Sequence, residues 1–354
     1  MIIKSKLSED TSRRQFLRGA LSLSIGGILL PSLSFAQAKS PGKAIFGVSS
    51  IDPSYTMVYV ALKKGYFHDA GVDVEYLNSQ SGPRTKQMVA AGQIQMAITG
   101  VNDAVALTTA GKQCVLVGCL DTRIVYGNIL ISKKLYDSGI KDVKQLGGHS
   151  IGITQPQGGT WLMATYMTDR AGLKGKVTIK PLGDYATMMG AVKSGSVDCT
   201  MATFGMLDEG QKQGWGATLF DVNDTKTWND IFGGDIPGNG LFVMQELIDQ
   251  RPETVQALVT ALTRATDFLK GSSPEEIAEV VYADYLKGFS KPAVISAITT
   301  CKKTWSYDNV ISKDSYERLI SMMTGRQYSK EQLDKDPYEK QVNMSFVKKA
   351  RKMA

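Results

Sequence analysis

Histidine is nearly missing from this chain, with 2 in 354 residues, His68 and His149. Neither stands in a His-Glu-x-x-His pattern or beside another metal-binding type, so histidine-based metal sites and most triad chemistry are excluded. Cysteine is scarce too: Cys114, Cys119, Cys199 and Cys301 form no Cys-x-x-Cys and no haem or iron–sulfur spacing. Cys114 and Cys119 bracket "VLVG" at an odd separation that sends them to opposite faces of a strand, so buried thiols are expected. Also missing are a Gly-x-Ser-x-Gly elbow, a phosphate loop ending in Lys-Ser/Thr, and a dinucleotide-type Gly-x-Gly-x-x-Gly. No catalytic residue, cofactor or metal is expected. Charge bias is weak: of 41 basic and 34 acidic residues, five and two fall before residue 20, leaving 36 against 32. That is no nucleic-acid footprint, and the basic run "SFVKKARK" reads as the solvated face of a last helix.

What is present begins with "SRRQFLRG", Ser12 to Gly19, whose twin arginines precede an apolar run from Ala20 to Leu30. This is the grammar of a twin-arginine export signal. The run is too short, and too rich in Gly and Ser, for the about 20 apolar residues of a membrane span. "AQA" at 36–38 offers a cleavage site near Ala38, and with no Cys nearby a lipid anchor is not expected. Removal leaves roughly 315 residues, more than one core usually organises. A soluble periplasmic protein of two lobes is the expectation.

From Lys43 onward, short β-branched runs alternate with longer helical ones: "AIFGVS", "TMVYVALKKGYF", "VDVEYL", "RTKQMVAAG", "IQMAITG", "DAVALTTAG", "CVLVGC". Such alternation implies mostly parallel sheets flanked by helices. From Asn128 the grammar repeats, and "QMVAAGQIQMAITG" and "MGAVKSGSVDCTMAT" share a helix ending in Gly followed by a strand. A largely helical tail begins after "GGDIPGNGLFVM" and is read as a return to the first lobe. The expected division is a signal at 1–38, a first lobe at 39–127 plus 242–354, and a second at 128–241. Two crossover strands, near Tyr126 to Ile131 and Pro237 to Val243, would join the lobes.

In open α/β sheets ligands bind beyond the carboxyl ends of the strands. The loops expected there are rich in neutral donors and glycine, suited to holding a small polar solute without reacting with it. "QGGTW", residues 157–161, is the sharpest: Gly158 and Gly159 give a ligand clearance, and a helix N-terminus there would stabilise an anion. Gln157 and Thr160 can add hydrogen bonds, although Thr160 can equally be a plain cap. Asp52 is either a helix cap or a selector for a ligand N–H. Tyr55 and Phe204 could form an aromatic wall, while Arg84 and Arg123 are weaker candidates to meet an anion.

At "YTMVYVALKKGYFHDAGVDVEYLNSQSGPRTKQMVAAGQIQMAITG", and again at "DVKQLGGHSIGI", "QGGTW" and "VKSGSVDCTM", the sequence resembles type II periplasmic binding proteins of ABC importers. The resemblance is to the nitrate, sulfonate and taurine family, which includes binders of the thiamine pyrimidine precursor. It implies a Venus-flytrap receptor whose two α/β lobes clamp a ligand and present it to a permease and its ATPase subunits, with the receptor a monomer. The family's ligand loops fall on Ser49, Ser50, Asp52 and Tyr55; on Ser81 and Gly82; on Gly100 and Asn102; on Gly158 to Trp161; and on Thr203 with Phe204. His149 replaces a usual Lys, and the Cys-rich motif of the pyrimidine-synthesising fungal relatives is absent. The expected ligand is a small organic anion of sulfonate or carboxylate type. Two alternatives stay open: a neutral heterocycle held between Tyr55 and Phe204 with no cation near Gly159, and an exported enzyme revealed by turnover.

Overall fold

A computed structural model describes residues 42–353, so the twin-arginine segment and its cleavage site lie outside the described residues. The strands are β1 (Gly42–Val48), β2 (Val72–Asn78), β3 (Met96–Gly100), β4 (Cys114–Cys119), β5 (Asn128–Ser132), β6 (Ser150–Ile153), β7 (Thr178–Pro181), β8 (Cys199–Ala202), β9 (Gly216–Phe220) and β10 (Asn239–Met244). They form two five-stranded sheets, ordered β2-β1-β3-β10-β4 and β7-β6-β8-β5-β9. The orders superimpose: β10 runs antiparallel to β3 and β4, and β5 runs antiparallel to β8 and β9. Each sheet therefore receives its antiparallel strand from the chain as it passes between lobes. The repeat legible in the sequence is a repeat of this topology. Asn239, Gly240 and Leu241, which the sequence grammar ends the second lobe with, are the first residues of β10 in the first sheet.

Burial explains which runs became which strands. Every residue of β3 and β4 is buried, as expected for strands covered on both faces, whereas β7 is largely uncovered, carries Pro181 and lies at a sheet edge. Glycines close helices here: Gly92 and Gly111 take left-handed φ values of 72° and 81° just after theirs. In the helical tail, Pro252–Gly271 turns Val255, Leu258, Val259, Leu262, Ala265 and Leu269 fully inward. Its stripe lies against the helices Thr56–Lys63 and Tyr66–Asp69 of the first lobe. All four cysteines are free and buried, in keeping with the expected thiols.

The two crossings run side by side. A Cβ on Gly238 would lie 2.4 Å from the Arg123 carbonyl oxygen, so only glycine permits that approach. The loops after β1, β3, β6 and β8 meet between the sheets, placing the crevice at the strands' carboxyl ends.

Candidate functional site

A small cavity of about 20 Å³ lies in this crevice, lined by Ser49, Ser81, Gly82, Thr99, Gly100, Asp103, Tyr126, Thr154, Gly159, Thr160 and Tyr185. Such a volume suits about one water, so the lobes are close together here. Its second-lobe wall is the N-terminus of the helix Gly159–Arg170. Gly158 caps that helix in extended geometry with no side-chain cap, leaving the first-turn N–H groups directed at the cavity. Thr160 is turned inward: its hydroxyl shares a 2.8 Å hydrogen bond with the Thr154 hydroxyl and accepts one from the Thr154 N–H at 3.0 Å. Both glycines are contact positions. A Cβ on Gly159 would lie 2.6 Å from the Tyr126 ring, and one on Gly158 would lie 3.0 Å from Pro83 of the opposite lobe.

The first-lobe wall is built from polar groups, most of them paired within the protein. Ser49 shares a 2.6 Å hydrogen bond with the Tyr55 hydroxyl. Ser81 caps the helix Gly82–Ala90 through the Arg84 N–H. Asp103, 1% exposed, accepts a 3.0 Å hydrogen bond from Thr99 at Oδ2. Its Oδ1 has no hydrogen-bond partner, and Lys86 Nζ stands 3.6 Å away. Burial raises the Asp103 pKa above the usual carboxylate range, a rise that Lys86 partly offsets. Beside it Asn102 is fully buried with neither amide atom hydrogen-bonded.

Of the residues expected from sequence, Ser49, Ser81, Gly82, Gly100, Gly159 and Thr160 line the cavity, and Gly158 and Asn102 back it. Others do different work. Asp52 caps the turn at Pro53–Tyr55 by accepting from the Ser54 N–H at 2.9 Å, and its other oxygen accepts the Thr203 hydroxyl from the second lobe. One carboxylate is thus both cap and latch. Its burial pushes its pKa up to about 6, against the lowering effect of those bonds. Ser50 is buried and its carbonyl faces Tyr59. Tyr55 and Phe204 are buried away from the cavity lining, so the aromatic sandwich expected of them is not formed. The Tyr55 hydroxyl is engaged with Ser49 and Asn239. Gln157 is exposed and gives only its carbonyl, which accepts from Gln327 Nε2 at 2.8 Å. Trp161 leaves the helix on the side of Leu173 and Arg326, away from the cavity. Arg84 is held by Gln80, and Arg123 by the Val222 carbonyl. Among the described residues no Lys or Arg lines the cavity.

Sequence reasoning does not single out Thr99, Asp103, Tyr126, Thr154 or Tyr185, all of which line the cavity. Thr99, Asp103, Thr154 and Tyr185 all stand at or just beyond the carboxyl ends of strands, so position is the signal that could have found them. Tyr126 lies in a crossing, where no periodicity marks it.

The architecture is that of a two-lobed α/β periplasmic binding protein. The sequence profile of the family described as NMT1/THI5 like matches residues 52–277, and the chain belongs to this family. It is similar to YtlA of Bacillus subtilis, described as a binding protein, at 21% identity over 83% of this chain and 86% of YtlA. A Bacillus subtilis protein described as binding aliphatic sulfonates is 29% identical over 30% of this chain and 32% of its own length. Among solved structures, a Bordetella bronchiseptica protein superimposes with a TM-score of 0.79 at 24% identity, over 89% of this chain and 98% of that one. The nitrate-binding protein NrtA of Synechocystis gives 0.70 at 14% identity over 88% of each chain. The fold also carries catalysis elsewhere: the desulfurization enzyme DSZB gives 0.61 at 15% identity over 88% of this chain and 99% of that one.

Proposed function

We propose that this chain is an exported solute-binding protein of an ABC importer, which captures a small organic anion of sulfonate or carboxylate type between its lobes and delivers it to a membrane permease. The observation that carries the reading is the uncapped N-terminus of the helix Gly159–Arg170, facing a cavity walled by the other lobe. The sulfonate-binding relative and the nitrate-binding structural neighbour support an anionic ligand. In this reading the signal at 1–38 is removed after twin-arginine export and the mature protein works as a periplasmic monomer. Its first lobe spans 39–127 and 242–354, its second 128–241, and the crossings act as hinges. The ligand bridges both lobes and favours closure by its differential affinity, and the permease reads the closed state. Moving from mostly open to mostly closed takes about 5.5 kcal/mol of preference.

Binding without turnover is favoured by the placement of the histidines and cysteines away from the cavity. His68 is exposed and paired with Asp73, and His149 pairs with Asp198 beyond the sheet. The cysteines are buried away from the cavity lining. Thermal unfolding against sulfonates, carboxylates, nitrate and pyrimidines tests the reading: a ligand at about 100 times its Kd adds roughly 2.7 kcal/mol of stability. A midpoint raised only by uncharged heterocycles refutes the anion. Recovery of the ligand chemically altered would move the chain to the enzymes.

A further inference from the structure

The turn that leads into the helix Gly159–Arg170 carries a residue in a conformation its side chain disfavours. In "QPQG", Gln155 to Gly158, the Gly158 N–H donates to the Gln155 carbonyl at 3.3 Å, Pro156 stands second, and Gln157, third, has a φ of 62°. This is the pattern of a type II turn, whose third position favours glycine or asparagine because a Cβ is crowded at positive φ. Glutamine there is unfavourable by itself and persists where surrounding structure imposes it.

What imposes it comes from far along the chain. Thr324–Tyr328 is a tight turn after the helix Lys313–Met323, closed by a 2.8 Å hydrogen bond from the Gly325 N–H to the Tyr328 carbonyl. The segment carrying it is anchored on the first sheet: Tyr316 meets Tyr338 edge-on with ring centroids 5.6 Å apart, and the Asn343 N–H donates to the Leu116 carbonyl of β4 at 2.8 Å. From this turn two side chains reach the helix Gly159–Arg170. Arg326 meets its C-terminal part, with Nη2 3.4 Å from Asp169 Oδ2 and the guanidinium 4.8 Å from the Tyr166 ring centroid. Gln327 meets the turn ahead of it, where Nε2 donates to the Gln157 carbonyl at 2.8 Å. That carbonyl and the Gly158 N–H belong to one peptide unit, so the plane just ahead of the cavity amides is held from both sides. Gln327 Oε1 is buried without a hydrogen-bond partner, so stability alone does not account for a glutamine here.

We infer that Gln327 is a positioning residue for ligand capture: it holds Gln157 in the left-handed conformation and so aims the first-turn amides of the helix Gly159–Arg170 into the cavity. This rests on the anion-binding reading above and deepens it, because the cradle on one lobe is completed by a side chain of the other that does not touch the solute. When the lobes separate, the hold on the Gln157 carbonyl goes with them, and the turn is free to leave positive φ. The amides are then fully aimed only in the closed protein.

Titration calorimetry on the full chain with nitrate, ethanesulfonate and propanoate tests it. Gln327→Met keeps the length of the side chain and removes both the donor and the unpaired oxygen. Affinity for each probe that binds the native chain should fall roughly three- to tenfold, the worth of one neutral hydrogen bond, while the Tm without probe stays close to native. Gln157→Gly should gain more affinity in the Gln327→Met background than in the native one and restore most of the loss, because glycine takes positive φ without being held. Arg326→Met is the comparison for a plain contact between the lobes, and Gln157→Gly should restore nothing there; equal restoration in both backgrounds overturns the inference. Unchanged affinity in Gln327→Met, whatever its Tm, overturns it while the anion reading stands. So does a loss that Gln157→Gly fails to restore, because Gln327 then only ties the lobes together. A native chain that binds none of the three probes overturns the inference and the anion reading together.

Discussion

Replacing Gly159 by Ala separates a ligand cradle from an ordinary helix start. The backbone there is right-handed, so alanine introduces no conformational strain, and the whole effect must come from the added methyl. That carbon would lie 2.6 Å from Tyr126 Cε2, 2.7 Å from Cζ and 2.8 Å from Oη. Carbon atoms settle at about 3.5–4.0 Å, so the ring has to move by about 1 Å. It has little room: Tyr126 is 5% exposed, its hydroxyl donates to the Gly238 carbonyl at 3.4 Å, and a Cβ on Gly100 would stand only 2.6 Å from that same oxygen. Overpacking of this kind costs about 1–3 kcal/mol, which for a chain of this size is a fall of a few degrees at most in Tm. The displaced ring and the methyl together fill a cavity of about 20 Å³, so the larger effect falls on the ligand. With the sulfonate or carboxylate giving the largest native midpoint shift, the variant should show a modestly lowered Tm and no shift. Gly190→Ala is the control, since a Cβ there meets nothing within 4 Å. It should leave the ligand shift intact and stabilise the helix by up to about 1 kcal/mol. A Gly159→Ala protein that keeps the full shift removes the glycine loop from the binding site.

Asp52→Asn should flatten part of the pH dependence of stability. Burial raises the Asp52 pKa from 3.8 to about 6, so its protonated form stabilises the fold below the unfolded value and that contribution is lost as pH rises through about 6. Between about pH 5 and about pH 7.5 the native protein should lose about 1.4 kcal/mol more than the variant in urea unfolding, and equal losses would refute the assignment. Asp121, pushed up to about 8 by burial, keeps a slope of the same sign in both proteins. The four thiols should resist alkylation in the native state and all react after denaturation, because burial holds every one above the ordinary thiol range. Rapid native labelling of any one of them would contradict its burial.

Much of the fold is legible because it rests on local regularity. Alternating apolar runs mark strands and helices, and Gly92 and Gly111 mark helix ends that only a left-handed residue closes comfortably. The site is less legible because its chemistry is decided between elements distant in sequence. "DAVALTTAG" looks like the polar start of a helix, and nothing within it shows that Gly82 bares the Asp103 carboxyl to a cavity. Tyr126 becomes a wall only because Gly100 and Gly159 flank it from different lobes. The opposite error has the same origin. Trp161 follows Thr160 directly, yet one residue on a helix is about 100° of rotation, enough to carry it from the cavity to the far side. Tyr55 and Phe204 occupy the expected loops but spend their rings on packing.

The contacts across the crevice bear on how a ligand could control closure. Thr203 bonds to Asp52, Gln327 to the Gln157 carbonyl, and Ser290 to Glu209 through both its N–H and its hydroxyl. All of these join the lobes without any ligand atom, so they lower the free energy of the closed state whether or not a solute is present. A ligand supplies only the remainder of the preference for closure. That remainder must come from groups that closure brings together around the solute and that no protein partner satisfies. The first-turn amides at Gly159, on the second lobe, are such groups, and Asn102, with neither amide atom hydrogen-bonded, backs the cavity on the first. A solute able to engage only one of them would bind a single lobe and leave closure to the latches. A solute that engages both gains its second set of bonds only when the lobes meet, which would couple its affinity to closure.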